Sequence, residues 1–145
     1  MSLRELYQEM IIDHGKQPRN FGVLPQASHC HAGHNPLCGD KLTVYLSERD
    51  GTLVDIKFEG SGCAICMASA SLMTEVLKGK SITEVTEIFD GFHQLVTTGS
   101  TEKELGKLSI FAGVAEFPIR VKCASLAWHT MKAALVNNST VVSTE

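Results

Sequence analysis

Thiols and carboxylates fall together at three places in the chain, and each grouping suits a definite chemistry. The first is Asn35-Pro36-Leu37-Cys38-Gly39-Asp40. In an extended segment residues i and i+2 face the same way, so Cys38 and Asp40 can approach one ion together while Gly39 lets the backbone come close. A turn in which Asp40 caps backbone amides and Cys38 is filler accounts for the same motif equally well. The second is Gly60-Ser61-Gly62-Cys63-Ala64-Ile65-Cys66, which puts Cys63 where a strand ends and a helix begins. Unpaired amide donors and the positive dipole end at such a point favour a thiolate over a thiol. Cys66 completes a CxxC by spacing, but without a thioredoxin-like βαβ context it reads first as a packed helix residue. The third is Phe117-Pro118-Ile119-Arg120-Val121-Lys122-Cys123. Here Pro118 predicts an extended approach and Cys123 the start of another helix, with the positive charges of Arg120 and Lys122 beside it.

Together Cys38, Asp40, Cys63 and Cys123 offer three sulfurs and one oxygen, a tetrahedral donor set suited to zinc. Sequence spacing does not oblige them to meet. If they do, three thiolates and a carboxylate overcompensate a divalent ion, and Arg120 is a sensible neighbouring charge. Closed structural zinc sites use Cys and His, so a carboxylate in the set points to a ligand that can be exchanged. His29-Cys30-His31 with His34 is a further Cys/His tract. On a strand only His29 and His31 share a side, and ordinary surface or loop residues are favoured there over a peripheral metal contact. His14, His93 and His129 lie in helical patterns, and Trp128 and the methionines read as packing.

Those groups need elements to position them. A helix is predicted over residues 3–14, with Leu3, Leu6, Tyr7, Met10 and Ile11 on one face, a Ser2/Glu5 capping box, and Gly15 as its stop. Residues 16–39 hold three of the four prolines and read as irregular, with a short strand near 28–33. Leu42, Val44 and Leu46 alternate with polar positions, as do Val54, Ile56 and Phe58 after the Asp50-Gly51 turn, which predicts an antiparallel hairpin. Helical spacing follows from Ile65 to Val76. Ser81 with Glu84 opens a helix with Val85, Ile88, Phe89, Phe92 and Val96 on its face, and Thr101 with Glu104 opens another ending near Pro118. A last helix is predicted from Cys123 through Leu135, and residues 137–145 as a frayed tail. Segregated strands and helices imply an α+β fold, a small antiparallel sheet of about three strands packed against several helices, in a single domain over residues 1–145.

The overall composition narrows the function classes. The 145 residues are 43% hydrophobic and 20% charged, enough for one domain with a core. A net charge of −3 gives no field to hold a polyanion, so nucleic-acid binding is not expected. The start lacks an apolar signal region and no run approaches the roughly 18 apolar residues of a membrane span, so a soluble, cytoplasmic protein is expected. Five cysteines, an odd number, fit reduced thiols better than a disulfide framework.

The three ordered motifs resemble the U-type iron-sulfur cluster assembly proteins, the SufU, IscU and NifU amino-terminal family. The resemblance covers nearly the whole chain and implies a small α+β fold with a zinc or nascent-cluster site at Cys38, Asp40, Cys63 and Cys123. Lys122 stands where IscU-type members have His, and Glu116-Phe117-Pro118-Ile119-Arg120 replaces their chaperone-recognition segment. Both features, with the long stretch between Cys66 and Cys123, place the chain nearest the SufU branch, so a dedicated Hsp70-type chaperone partner is not expected. That branch implies a zinc-dependent sulfurtransferase in which Cys38 accepts persulfide sulfur from a SufS-type cysteine desulfurase, with Arg120 near the metal. An alternative within the family is a scaffold binding iron or a transient [2Fe-2S] cluster at Cys38, Cys63 and Cys123 and passing it to downstream assembly proteins or apoproteins. A structural zinc module is the alternative of another class. Cys66 and Cys30 are thiols outside the family motif, and many relatives carry a hydroxyl at the position of Cys66.

Overall fold

The computed structural model describes residues 3–136 and 142–143. Its elements run in the order α1 (Leu3–Lys16), β1 (His29–Asn35), β2 (Asp40–Arg49), β3 (Thr52–Ser61), α2 (Ala64–Leu77), α3 (Ile82–Thr98), a 3₁₀ segment (Gly106–Glu116), α4 (Pro118–Leu135) and β4 (Val142–Ser143). The sheet order is β3-β2-β1-β4, with the first three strands antiparallel and β4 parallel to β1. The α+β architecture is the one expected. Of the tail, Val142–Ser143 pair with Gly33 and His34 at the sheet edge rather than fraying; its other residues, like the Ser2 half of the first capping box, lie outside the described residues.

The hairpin forms as its alternation dictates. Asp50 and Gly51 both take positive φ (52° and 78°), the mirror-image turn that matches strand twist. Leu42, Val44, Leu46, Ile56 and Phe58 turn inward. Val54 does not: the β2–β3 register shifts after Ser47, so Leu53 fills the core and Val54 is 39% exposed. One extra residue in a strand flips the face of everything beyond it.

Helices α2 and α4 cover one face of the sheet, α1 packs on α2, and α3 with the 3₁₀ segment packs against α4. The core is knitted by Trp128, stacked on Phe92 at 4.3 Å, its indole N–H donating to Ser69 Oγ at 3.1 Å. The Ser81/Glu84 capping box closes as predicted, and Gly99 ends α3 in the left-handed region. Two helix starts differ from the sequence reading. Thr101 bonds Gln94 instead of opening a helix, while Glu104 accepts the Gly106 amide, so a 3₁₀ segment begins at Gly106. Pro118 occupies the first turn of α4, so the extended approach is Phe117 alone, and Cys123 lies inside the helix rather than at its start.

A buried histidine, His14, and a half-buried one, His129, tie stability to pH. Burial, followed by the positive charge of Arg19, lowers the pKa of His14 against the pull of Glu75 and Asp13. At His129 burial lowers it, followed by His93 and Lys132. Below an ordinary imidazole value of about 6.5 the unfolded chain then binds protons that the folded chain refuses, so stability falls as pH falls through that value. The urea midpoint is expected to drop between pH 7.5 and 5.5, and to drop less in His129→Gln; equal drops in both proteins would contradict this origin.

Candidate metal centre

All three motifs reach the same end of the sheet. Asn35 and Asp40 are directly paired across β1 and β2, so residues 36–39 are the tip of a hairpin and carry Cys38. Gly39 at the tip has φ 72°. Asp40, first residue of β2, points inward and is wholly buried. Cys63 caps α2 with extended backbone, φ −67° and ψ 167°, and its Sγ accepts the Cys66 amide N–H at 3.4 Å. Cys123 comes in from α4.

Ligand atoms of Cys38, Asp40 and Cys123 lie within 4.8 Å of one another. The sulfurs of Cys38 and Cys123 are 3.2 Å apart. Cys63 is not inside that trio; it meets it through its backbone N–H, which donates to Asp40 Oδ1 at 2.9 Å, and through a contact of its thiol with Cys123. Zinc–sulfur bonds of about 2.3 Å put sulfur ligands of a tetrahedral ion about 3.8 Å apart, a spacing the three converged donors could meet, with Cys63 beside them. Burial is uneven: Cys38 is exposed, Cys63 half-buried, Asp40 and Cys123 buried.

A buried carboxylate needs donors, and Asp40 has them on both oxygens. Oδ2 accepts Asn35 Nδ2 at 3.3 Å, and the same amide group lies 3.6 Å from Cys123 Sγ. Asn35 is wholly buried, and its own carbonyl oxygen has no partner. The sequence reading gave Asn35 no role, because its pairing with Asp40 lay in a segment taken as irregular. Gly62 was missed for another reason: a Cβ there would meet Asp40 Oδ1 at 2.6 Å and Cys66 Sγ at 3.2 Å, a constraint only coordinates reveal.

The surroundings press on the thiols. Burial raises the pKa of Cys123 well above the ordinary thiol range, followed by its contacts with Cys38, Cys63 and Asp40. The helix-start activation expected for Cys123 is therefore absent. Burial likewise raises Cys66, followed by the charges of Asp40, Cys63 and Cys38. Cys66 is wholly buried, as a packed residue should be, yet its neighbours are those of the site. Arg120 stands three residues before Cys123 on α4, exposed, its guanidinium 4.4 Å above the Phe117 ring; among the described residues no ion pair joins it to Asp40.

The His tract forms no second centre among the described residues. His29, His31 and His34 lie in β1, not in a loop; His29 Nε2 sits 3.3 Å from Glu48, and His29 Nδ1 and His31 Nε2 are buried without partners.

The model of the NifU-like N terminal domain matches residues 6–124, a span that contains the hairpin tip, the α2 cap and the α4 cysteine. The chain belongs to the NifU-like N-terminal domain family. It is 40% identical over 134 residues to the zinc-dependent sulfurtransferase SufU of Bacillus subtilis, covering 90% of each chain. It is 38% identical over 135 residues to the iron-sulfur cluster assembly scaffold protein IscU of Streptococcus pyogenes, covering 92% of this chain and 84% of the relative. The crystal structure of a candidate SUF-system iron-sulfur cluster assembly scaffold from Fervidobacterium islandicum superposes with a TM-score of 0.84 at 35% identity, over 92% of this chain and 99% of the other. The α+β fold is thus that of NifU-like N-terminal domains.

Gly62 supplies the test of the site's packing. It is exposed and outside the core, so Gly62→Ala is expected to fold, displace Asp40 and weaken zinc binding about tenfold, the scale seen when a ligand's support is disturbed. Competition against a chromophoric chelator measures this; unchanged affinity would mean that Asp40 is free to move without cost.

Proposed function

We propose that the chain is an iron-sulfur cluster assembly protein that accepts persulfide sulfur from a SufS-type cysteine desulfurase at Cys38. Zinc is its resident ion, held by Cys38, Asp40, Cys63 and Cys123. The observation that carries this reading is the uneven burial of one converged donor set: Asp40 is 0% and Cys123 2% exposed, whereas Cys38 rides on the hairpin tip in solvent. The buried donors hold, and the exposed one can leave and react. The zinc-dependent sulfurtransferase at 40% identity supports the same choice.

Zinc, when bound, keeps the coordinating thiols deprotonated and shields them from oxidation. The Cys38 thiolate attacks the outer sulfur of the desulfurase persulfide. A sulfur–sulfur bond forms at Cys38, the one on the desulfurase breaks, and the desulfurase cysteine leaves as a thiolate, so charge and electrons balance. Asp40 keeps its place throughout, since the Cys63 N–H and the Asn35 amide anchor it independently of Cys38. Arg120, three residues before Cys123 on α4, is assigned the charge that neutralises the anionic persulfide. Leu37 (58% exposed) and Ile119 (58%) give this end an apolar rim for the desulfurase.

The scaffold reading is favoured by the relative named as one, with iron and sulfide as cargo at Cys38, Cys63 and Cys123 before transfer to downstream proteins. A structural zinc module is disfavoured because the exposed Cys38 leaves the donor set open at one side, where a closed structural site would bury all four. No described helix is long and apolar enough to cross a membrane.

The deciding experiment incubates zinc-loaded protein anaerobically with a cysteine desulfurase, L-cysteine and ferrous iron, then records the visible spectrum with zinc, iron and sulfide content. Retained zinc and a persulfide without a cluster chromophore are expected. A bound cluster with zinc displaced would make the chain a scaffold. Cys38→Ser is expected to abolish the persulfide while leaving the fold; an undiminished yield would remove Cys38 from its role.

A further inference from the structure

One thiol in the wall of the site has no part in that reading. Cys66 is fully buried in the first turn of α2, three residues after Cys63, and its backbone N–H is bonded to Cys63 Sγ. Its own sulfur carries no hydrogen bond among the described residues. Nor does it point into the far side of the core. A Cβ built on Gly62 would lie 2.6 Å from Asp40 Oδ1 and 3.2 Å from Cys66 Sγ, so both groups crowd the same glycine. The sulfur of Cys66 is therefore a close neighbour of the Asp40 carboxylate, whose charge acts on it. Two cysteines separated by two residues at a helix start are also a common spacing of paired zinc ligands, both reaching one ion from a single turn.

Asp40 is the donor most easily spared. Both its oxygens already serve protein donors, one the Cys63 amide and one Asn35. Carboxylate is also the hard member of a soft set, and thiolate binds zinc and iron–sulfur species more strongly than oxygen does.

We propose that Cys66 is a reserve ligand of this centre, taking the place of Asp40 when the carboxylate is withdrawn and converting a three-sulfur, one-oxygen site into a four-sulfur one. This rests on the metal set proposed above. With Asp40 engaged the site stays exchangeable; with Cys66 engaged it closes into an all-thiolate set. The exchange makes one metal–sulfur bond as one metal–oxygen bond breaks, the thiol proton passes to solvent, and no electron moves.

Cobalt(II) reports the count directly, because its near-ultraviolet charge-transfer intensity scales with the number of thiolate ligands. The metal-free full chain, kept reduced and anaerobic, is titrated with cobalt(II) alongside Cys66→Ser, Asp40→Ala and the double variants Asp40→Ala/Cys66→Ser and Asp40→Ala/Cys66→Ala. Wild type and Cys66→Ser are expected to share one three-thiolate spectrum. Asp40→Ala is expected to gain about one third in intensity, from three thiolates to four, and to bind with near-native affinity. Both double variants are expected to fall back to the three-thiolate intensity and bind about tenfold more weakly or worse. Circular dichroism confirms folding of each, and the alanine double variant guards against a misfolded serine one. Identical intensity and affinity in Asp40→Ala and both double variants would overturn the inference. A wild type without a three-thiolate spectrum would instead overturn the metal set on which it rests.

Discussion

A carboxylate taken wholly out of water is costly unless every oxygen is bonded, and Asp40 is the point on which this structure turns. Its two oxygens take a backbone N–H from the cap of α2 and a side-chain amide from the last residue of β1. Those two bonds fix the start of β2, the N-terminus of α2 and the end of β1 relative to each other. Cys38 and Cys63 are carried on the same pieces. Only Cys123 arrives independently, on α4, and Asn35 reaches it too. This end of the fold is thus organised around one carboxylate, with the sulfurs distributed about it.

That arrangement has a cost. Asn35 spends its amide on Asp40 and Cys123 while its carbonyl oxygen is buried without a partner. An unsatisfied buried acceptor costs about 1–3 kcal/mol. Replacing Asn35 by an apolar residue would remove that acceptor but leave Asp40 Oδ2 without its donor. The amide is explained by what it holds. The large core of Trp128, the sheet and the helices runs up to the site end, where Cys66 and Cys123 belong to it and Cys63 packs against it.

How much of this could be read without coordinates follows from the range of each physical signal. The hairpin, the α2 and α3 patterns and the Ser81 capping box are local, and the residues declare them. The four candidate ligands are visible as residue types in suggestive settings, and three of them converge. What was hidden depends on contacts between distant parts. Val54 yields to Leu53 because of a register shift that no alternation shows. Pro118 starts α4 rather than an extended arm, because proline suits a first helical turn as well as the strand that precedes one, and this moved Cys123 into the helix interior. Asn35 and Gly62 are important only through Asp40, five and twenty-two residues away. Cys66 was rightly read as buried, but its side of the helix could not be known.

The central claim is that three cysteines and Asp40 share one ion, and zinc K-edge X-ray absorption of the zinc-loaded chain tests it most directly. The account predicts three sulfur neighbours at about 2.3 Å and one oxygen at about 2.0–2.2 Å, with the oxygen replaced by sulfur in Asp40→Cys. Imidazole scattering, or a shell unchanged by altering Asp40, would contradict it.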